Sequence, residues 1–252
     1  MNQYKQNNYG SLCTEMYEIL HKKAPQDELD FYLSYARKED KILEALCGSG
    51  RFLVPFIERG FDIYGMDRSS EMLSKLKQKV PDARVVQADI LEYSSKIPFD
   101  YIFVTSGSVS LFTDVNLCRK VLAKLKRMLT PRGKLVFAVE TAADRCPDDQ
   151  EYQTSASVKT EEGLELILKT RNYYDEQSQT QFSPGIYELY NDKKELLQRE
   201  DMDFQTHLYK LGEMEQYLKE IGVTNVKTYS SFSKEIAVSE ESEMFLFECS
   251  IF

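Results

Sequence analysis

KILEALCGSGRF, residues 41–52, decides how the rest of the chain is read. A mostly apolar, strand-like run enters a short turn with glycines at 48 and 50, and a helical pattern follows over 50–59, with Gly60 as its stop. A strand that enters a helix through a glycine turn is the opening βα unit of a parallel sheet. Such a turn also lets a ligand approach the backbone and meet the N–H groups at the helix start. Glu44 places an acid inside the apolar run. By itself, Gly48-Ser49-Gly50 is equally compatible with an ordinary tight turn.

The alternation continues downstream. FDIYGM (61–66) reads as a strand, SSEMLSKLKQKV (69–80) as a helix capped by Ser69, and ARVVQA (83–88) and FDYIFVT (99–105) as strands. DVNLCRKVLAKLKRMLT (114–130) has the spacing of an amphipathic helix, closed by Pro131 and Gly133, and KLVFAVE (134–140) is a fifth strand. Its basic run, Arg119-Lys120, Lys124 and Lys126-Arg127, reads as a solvated helix face. Residues 150–206 break the rhythm. LELILKTRNYY, TQFSPGIYELY and ELLQREDMDFQTHLY are strand-like segments, and NDKK (191–194) is a hairpin turn between two of them. LGEMEQYLKEIG (211–222) returns to a helix. VTNVKTY (223–229) and EMFLFECSIF (243–252) then follow with no helix between them, so they are expected to pair antiparallel at a sheet edge.

Upstream, SLCTEMYEILHKK (11–23) puts Leu12, Met16, Ile19 and Leu20 on one helical face, and DELDFYLSYARK (27–38) reads as a second helix after Pro25. The expected fold is therefore α/β: a Rossmann-like, seven-stranded, mostly parallel sheet with helices on both faces, an antiparallel last strand and an antiparallel β lid insertion. The expected boundaries are N-terminal helices over 1–40 forming part of the lid, a Rossmann-like domain over 41–149 and 207–252, and the inserted lid over 150–206.

Composition narrows the partners. A formal charge of −9 over 252 residues disfavours a sequence-independent grip on nucleic acid, which needs a basic surface. The start, MNQYKQNNYG, lacks the apolar segment of a signal peptide, and no apolar run approaches a membrane span, so a cytoplasmic protein without a membrane partner is expected. Five scattered cysteines without a CxxC pair suggest neither a disulfide framework nor a zinc site, and no metal site is expected. A homodimer is compatible with the chain, which does not fix its oligomeric state.

Two further acids sharpen the turn's meaning. Asp67 follows the second strand, where a carboxylate can accept from both hydroxyls of a ribose. Asp89 follows the third, where it can accept from an exocyclic amine. Each also has a plain role, Asp67 as a cap for the next helix and Asp89 as a loop opener. Together with Glu44 and the glycine turn they point to a nucleoside-containing ligand. The third glycine of GxGxxG would fall on Leu53, so a dinucleotide loses its best evidence, and no GxxxxGK[ST] loop is present.

EALCGSGR, YGMDRSSEML, VVQADI and LTPRGKLVF, in this order and spacing, resemble the successive motifs of class I S-adenosylmethionine-dependent methyltransferases. The resemblance covers about residues 41–140. With the later helix and the β insertion it extends to the small-molecule branch, which includes amino-sugar N-methyltransferases and glycine N-methyltransferase-like enzymes. It implies S-adenosyl-L-methionine as cofactor, S-adenosyl-L-homocysteine as product, and a small-molecule methyl acceptor at N or O. RNA or protein methylation, or cofactor binding without catalysis, are the alternatives.

The resemblance further implies that Glu44 anchors the cofactor's amino group, directly or through water. Leu46, Cys47 and Gly48 would line its methionine part beside Gly50. Asp67 would hold the ribose, Arg68 and Met72 would lie on the adenine, and Asp89 with the Ile90 N–H would read its edge. Ser106 and Ser108 would border the methionine end, and Tyr17 and Tyr209 fall where cofactor- or substrate-facing tyrosines occur. Glu44 replaces the usual aspartate, and Leu46 replaces a glycine, where positive φ is not expected of a leucine. No catalytic residue stands out. The candidates for a base or for orienting an amine are His207, Tyr209 and Glu140.

Overall fold

The computed structural model describes residue 7 and residues 9–251. Two compact units form, one from residues 23–144 and 208–252, the other from residues up to 22 and 145–207.

The larger unit is built on a seven-stranded sheet. Its strands are β1 (Lys41–Ala45), β2 (Asp62–Asp67), β3 (Val85–Gln87), β4 (Phe99–Val104) and β5 (Leu129–Glu140), followed late in the chain by β13 (Asn225–Tyr229) and β14 (Met244–Ser250). Their order is β13-β14-β5-β4-β1-β2-β3. The first five pair in parallel, and β14 lies antiparallel to both β5 and β13. The two final strands thus pair as expected, with β14 inserted between its neighbours. The chain moves outward from β1 to β3 and then crosses back to β4 on the other side of β1. This places a topological switch point beyond the C-terminal ends of β1 and β4, where open α/β sheets bind ligands.

Among the described residues, five α-helices belong to this unit: α2 (Gln26–Leu33), α3 (Leu53–Glu58), α4 (Ser70–Lys79), α5 (Val115–Arg127) and α6 (Glu213–Glu220). Ser69 caps α4 by accepting from the Met72 N–H, and Asp114 caps α5 through Leu117 N–H. Two buried clusters fill the space around the sheet. One centres on Val121, Leu122, Phe137 and Phe247, the other on Phe31, Tyr32, Phe56 and Phe103. Part of the basic run on α5 is tied down rather than simply solvated. Arg119 pairs with Glu220, and Lys126 donates to the carbonyls of Ile221 and Gly222.

α2 stops at Leu33, short of the expected end near Lys38, because the Ser34 N–H is shared between the Asp30 and Phe31 carbonyls and those of Tyr35 and Ala36 turn to carbonyls three residues back. Its Leu29, Phe31 and Tyr32 are core residues of this unit. The division at residues 23–40 therefore differs from the expected one: α2 is built into the sheet domain and only the first helix belongs with the insertion.

The smaller unit combines α1 (Ser11–Leu20) with seven strands: β6 (Gln153–Lys159), β7 (Glu165–Thr170), β8 (Tyr173–Asp175), β9 (Thr180–Phe182), β10 (Gly185–Tyr190), β11 (Leu196–Met202) and β12 (Gln205–His207). They make two antiparallel sheets, β11-β10-β7-β6 and β12-β9-β8. Each strand-like segment of the sequence is cut by a short break, at 171–172, 183–184 and 203–204, and contributes one strand to each sheet. Asn191–Lys194 does turn the β10–β11 hairpin. Leu12, Cys13 and Met16 of α1 pack with Leu166 and Tyr187. Leu20, expected on the same buried face, is 51% exposed. The start of α1 has no cap of its own, and the Glu200 carboxylate serves instead, accepting the N–H groups of Leu12 (3.0 Å) and Cys13 (3.3 Å).

Candidate cofactor site

The turn after β1 is made from backbone that most side chains avoid. Leu46, Gly48 and Gly50 have φ of 60°, 50° and 83°. Leu46 therefore does take the left-handed conformation, contrary to expectation, at a typical cost of about 1–2 kcal/mol for a non-glycine residue. It is half-buried against the larger core cluster, which offsets part of that cost. Gly50 is required twice, for its φ and because a Cβ there would lie 2.8 Å from Leu76 of α4.

The missing third glycine also finds its explanation here. Leu53 packs onto β2 at Gly65, where an added Cβ would come within 2.8 Å of Leu53 Cδ1 and 2.9 Å of Cys47 Sγ. The close approach of helix and sheet is preserved, with the glycine on the strand instead of the helix.

Asp67 holds the turn from the end of β2. Its Oδ2 accepts the Gly48 N–H and its Oδ1 the Ser69 N–H, both at 2.8 Å. Burial raises its pKa, and these backbone donors work in the opposite direction. Asp67 is thus a structural acceptor as well as a ligand candidate. Met72 is buried on α4, its Sδ 4.0 Å from where a Cβ on Gly48 would stand, and Arg68 is exposed.

Glu44 is 1% exposed. Its Oε1 accepts from the Thr105 hydroxyl at 3.4 Å, and among the described residues no donor reaches the buried Oε2. Burial pushes its pKa well above the usual carboxylate range. Thr105 and Arg51 oppose the shift, and Asp67 and Glu28 add to it. A buried acid with an unused oxygen fits a cationic ammonium. The residues at this switch point therefore fit a nucleoside with an amino-acid arm.

Asp89 opens the loop after β3, accepting Leu91 N–H at 2.8 Å through Oδ1, and Ile90 is buried beside it. Beyond β4 the chain makes a second tight turn. Ser106 and Gly107 have φ of 55° and 65°, and the Ser108 N–H donates to the Thr105 carbonyl at 3.0 Å. Positive φ at both central residues is the signature of a type I′ turn, which favours glycine or asparagine. Glu140 lies alongside: its Cγ would be 3.0 Å from a Cβ on Gly107, and its own N–H donates to Ser110 Oγ.

The sequence reading missed Glu28 and Arg51. Glu28 on α2 is 5% exposed, and its Oε1 accepts the Ser106 N–H at 2.8 Å and the Ser106 hydroxyl at 3.4 Å. Arg51, just behind the glycines, donates to Ser106 Oγ. An arginine after the glycine turn was the available signal for one. Nothing local marks the other.

The base candidates fare differently. Tyr209 is 1% exposed within the larger core cluster, its hydroxyl 3.3 Å from Cys118 Sγ, so it packs rather than faces a ligand. His207 and Tyr17 lie in the β-rich unit. His207 is 3% exposed on β12, with Nδ1 3.1 Å from the Ser178 carbonyl and Nε2 3.4 Å from the Gln179 amide, the environment of a structural histidine. Tyr17 lies against His21, with ring centroids 4.8 Å apart and planes tilted by 48°. Burial pushes the Cys47 thiol well up, which leaves it a poor nucleophile. No cluster of three metal-ligating side chains and no helix long and apolar enough to cross a membrane occurs among the described residues.

Residues 42–133 match the family described as a methyltransferase domain. Over this stretch the sequence is similar to methyltransferase domains.

The Bacillus subtilis protein YqeM is 29% identical over 132 residues, which make up 50% of this chain and 53% of that one; the chain thus spans about half the length of this relative. Solved methyltransferases share the fold. An S-adenosylmethionine-dependent methyltransferase from Clostridium acetobutylicum superposes with a TM-score of 0.76 at 17% identity, covering 94% of this chain and 96% of that one. CalS10 from Micromonospora echinaspora, an amino pentose methyltransferase solved with S-adenosylmethionine bound, gives 0.67 at 16% identity over 100% and 99%.

Proposed function

We propose that the chain transfers the methyl group of S-adenosylmethionine to a nitrogen or oxygen of a small molecule by in-line displacement. The observation that carries this reading is the convergence, at the switch point of the sheet, of the left-handed turn, Asp67 and the buried, under-used Glu44. When bound, the cofactor supplies a methyl group on an electrophilic sulfonium, so the protein's task is placement and exclusion of water. Positioning of this kind contributes roughly 7–11 kcal/mol to such reactions.

In this reading Glu44 takes the ammonium, directly or through water, and the backbone of Leu46, Cys47 and Gly48 lines the methionine arm next to Gly50. Asp67 accepts from the ribose hydroxyls. Met72 and Arg68 flank the adenine, and Asp89 and the Ile90 N–H read its edge. Ser106 and Ser108 border the methionine end, and Glu140, close to Gly107, is the remaining candidate for orienting an acceptor amine. The amino pentose enzyme among the solved likenesses supports an amine on a sugar-sized molecule as the first acceptor class to try. The lid role of the β-rich unit belongs to the same proposal.

Calorimetric titration with S-adenosylmethionine, S-adenosylhomocysteine and NAD tests the cofactor, and release of S-adenosylhomocysteine in the presence of amino sugars and small amines tests the acceptor. Binding of the two sulfur nucleosides but not NAD is expected. Folded, ligand-free protein that binds neither would sink the proposal.

A further inference from the structure

We propose that Glu28 of α2 is a positioning residue of the cofactor site, holding Ser106 in its left-handed conformation and so fixing the turn after β4. The inference rests on the cofactor reading above and adds a residue from outside the strand–turn motifs.

The argument starts from the turn. Thr105–Ser108 closes with a 3.0 Å bond from the Ser108 N–H to the Thr105 carbonyl, with φ of 55° at Ser106 and 65° at Gly107. Gly107 adopts this without penalty. Ser106 does not, and serine lacks the side-chain amide or carboxylate that helps asparagine and aspartate there. Something else must hold it.

Glu28 supplies that hold. One oxygen, Oε1, accepts both the backbone N–H and the hydroxyl of Ser106, and a hydrogen bond to a charged acceptor is among the stronger kinds. The carboxylate is buried, which is costly for an acid whose only use is to pack, and burial raises its pKa. Arg51 completes the arrangement: it donates to Ser106 Oγ and its charge acts on both Glu28 and Glu44. Thr105, the residue before Ser106, donates to Glu44. The turn after β1, the turn after β4 and α2 are therefore tied into one polar network, whose members include two groups assigned to the methionine end of the cofactor.

A role in fixing the Ser106 backbone makes a prediction that mere anchoring of α2 does not. Glycine at this position needs no help to take positive φ. Glu28→Gln, Ser106→Gly and the double variant are compared with the parent by calorimetric titration with S-adenosylhomocysteine and by ligand-free thermal melts. E28Q is expected to weaken binding about tenfold and lower the melting temperature. In the Ser106→Gly background the same change should cost less than about threefold and hardly move the melt. If E28Q is too unstable to titrate, Glu28→Asp, which keeps the charge and loses the reach, carries the same comparison. Equal losses in both backgrounds, or undiminished binding by E28Q, would overturn the proposal. A folded parent that fails to bind S-adenosylhomocysteine would overturn the cofactor reading and the positioning role with it. The melts would then show separately whether Glu28 still carries the turn.

Discussion

The turns after β1 and β4 solve the same problem by different means. Both leave the end of a strand at the switch point, both begin with a non-glycine residue at positive φ, Leu46 and Ser106, and both are held by a buried or half-buried carboxylate. The first turn takes its acid, Asp67, from the adjacent strand, 19 residues from the Gly48 it holds. The second takes Glu28 from a helix 78 residues away. One turn is thus a local product of the βα alternation. The other depends on how α2 packs into the core.

Breaking the first turn should have the largest effect. Asp67→Ala removes the acceptor of two backbone N–H groups as well as the proposed ribose contact, and hydrogen bonds to a charged group contribute about 1.5–3 kcal/mol each. Loss of cofactor affinity beyond a hundredfold, together with a lowered melting temperature, is expected by calorimetry and thermal melting. Retained affinity would show that the turn stands without its acid.

Glu44→Gln separates binding from stability. The raised pKa of Glu44 means that the folded state holds this proton more tightly than the unfolded chain. Its contribution to stability is therefore greatest below the ordinary carboxylate range and falls as pH rises from there toward the folded pKa. A neutral glutamine removes this dependence. The variant is expected to melt higher than the parent at neutral pH without ligand and to bind S-adenosylmethionine about tenfold more weakly. A lower melting temperature combined with unchanged affinity would remove Glu44 from the site.

The strain at Leu46 is open to a finer comparison. At an ordinary position glycine is less stable than alanine by about 0.5–1 kcal/mol. At φ of 60° the order should reverse, with Leu46→Gly more stable than Leu46→Ala by about 1 kcal/mol in denaturant unfolding. The smallest effect belongs to Tyr209→Phe. Deleting a buried hydroxyl that pairs with the Cys118 thiol should cost about 1 kcal/mol of stability and leave the pH profile of methyl transfer unchanged. A shifted profile would return Tyr209 to the catalytic candidates.

The period of apolar residues and the punctuation by glycine and proline determined the element order, the parallel sheet and the antiparallel final strand, because these patterns reflect which face of each element must be buried. The capping residue Ser69 was legible for the same local reason. Glu44, Asp67 and the glycine turn were legible because a parallel sheet brings the ends of successive strands to one edge. The sequence could not show that Leu46 would take positive φ, since packing against the core offsets a cost that propensity alone counts against it. It could not separate α1 from α2, whose apolar faces look alike but bury against different cores. Tyr209 had the residue type of a ligand contact and the burial of a core residue, and only packing distinguishes the two. Glu28 is the clearest case: in sequence it is one more acid on a helix. Tertiary structure alone brings its carboxylate to an N–H 78 residues away, because long-range contacts are set by how elements pack and not by their spacing along the chain.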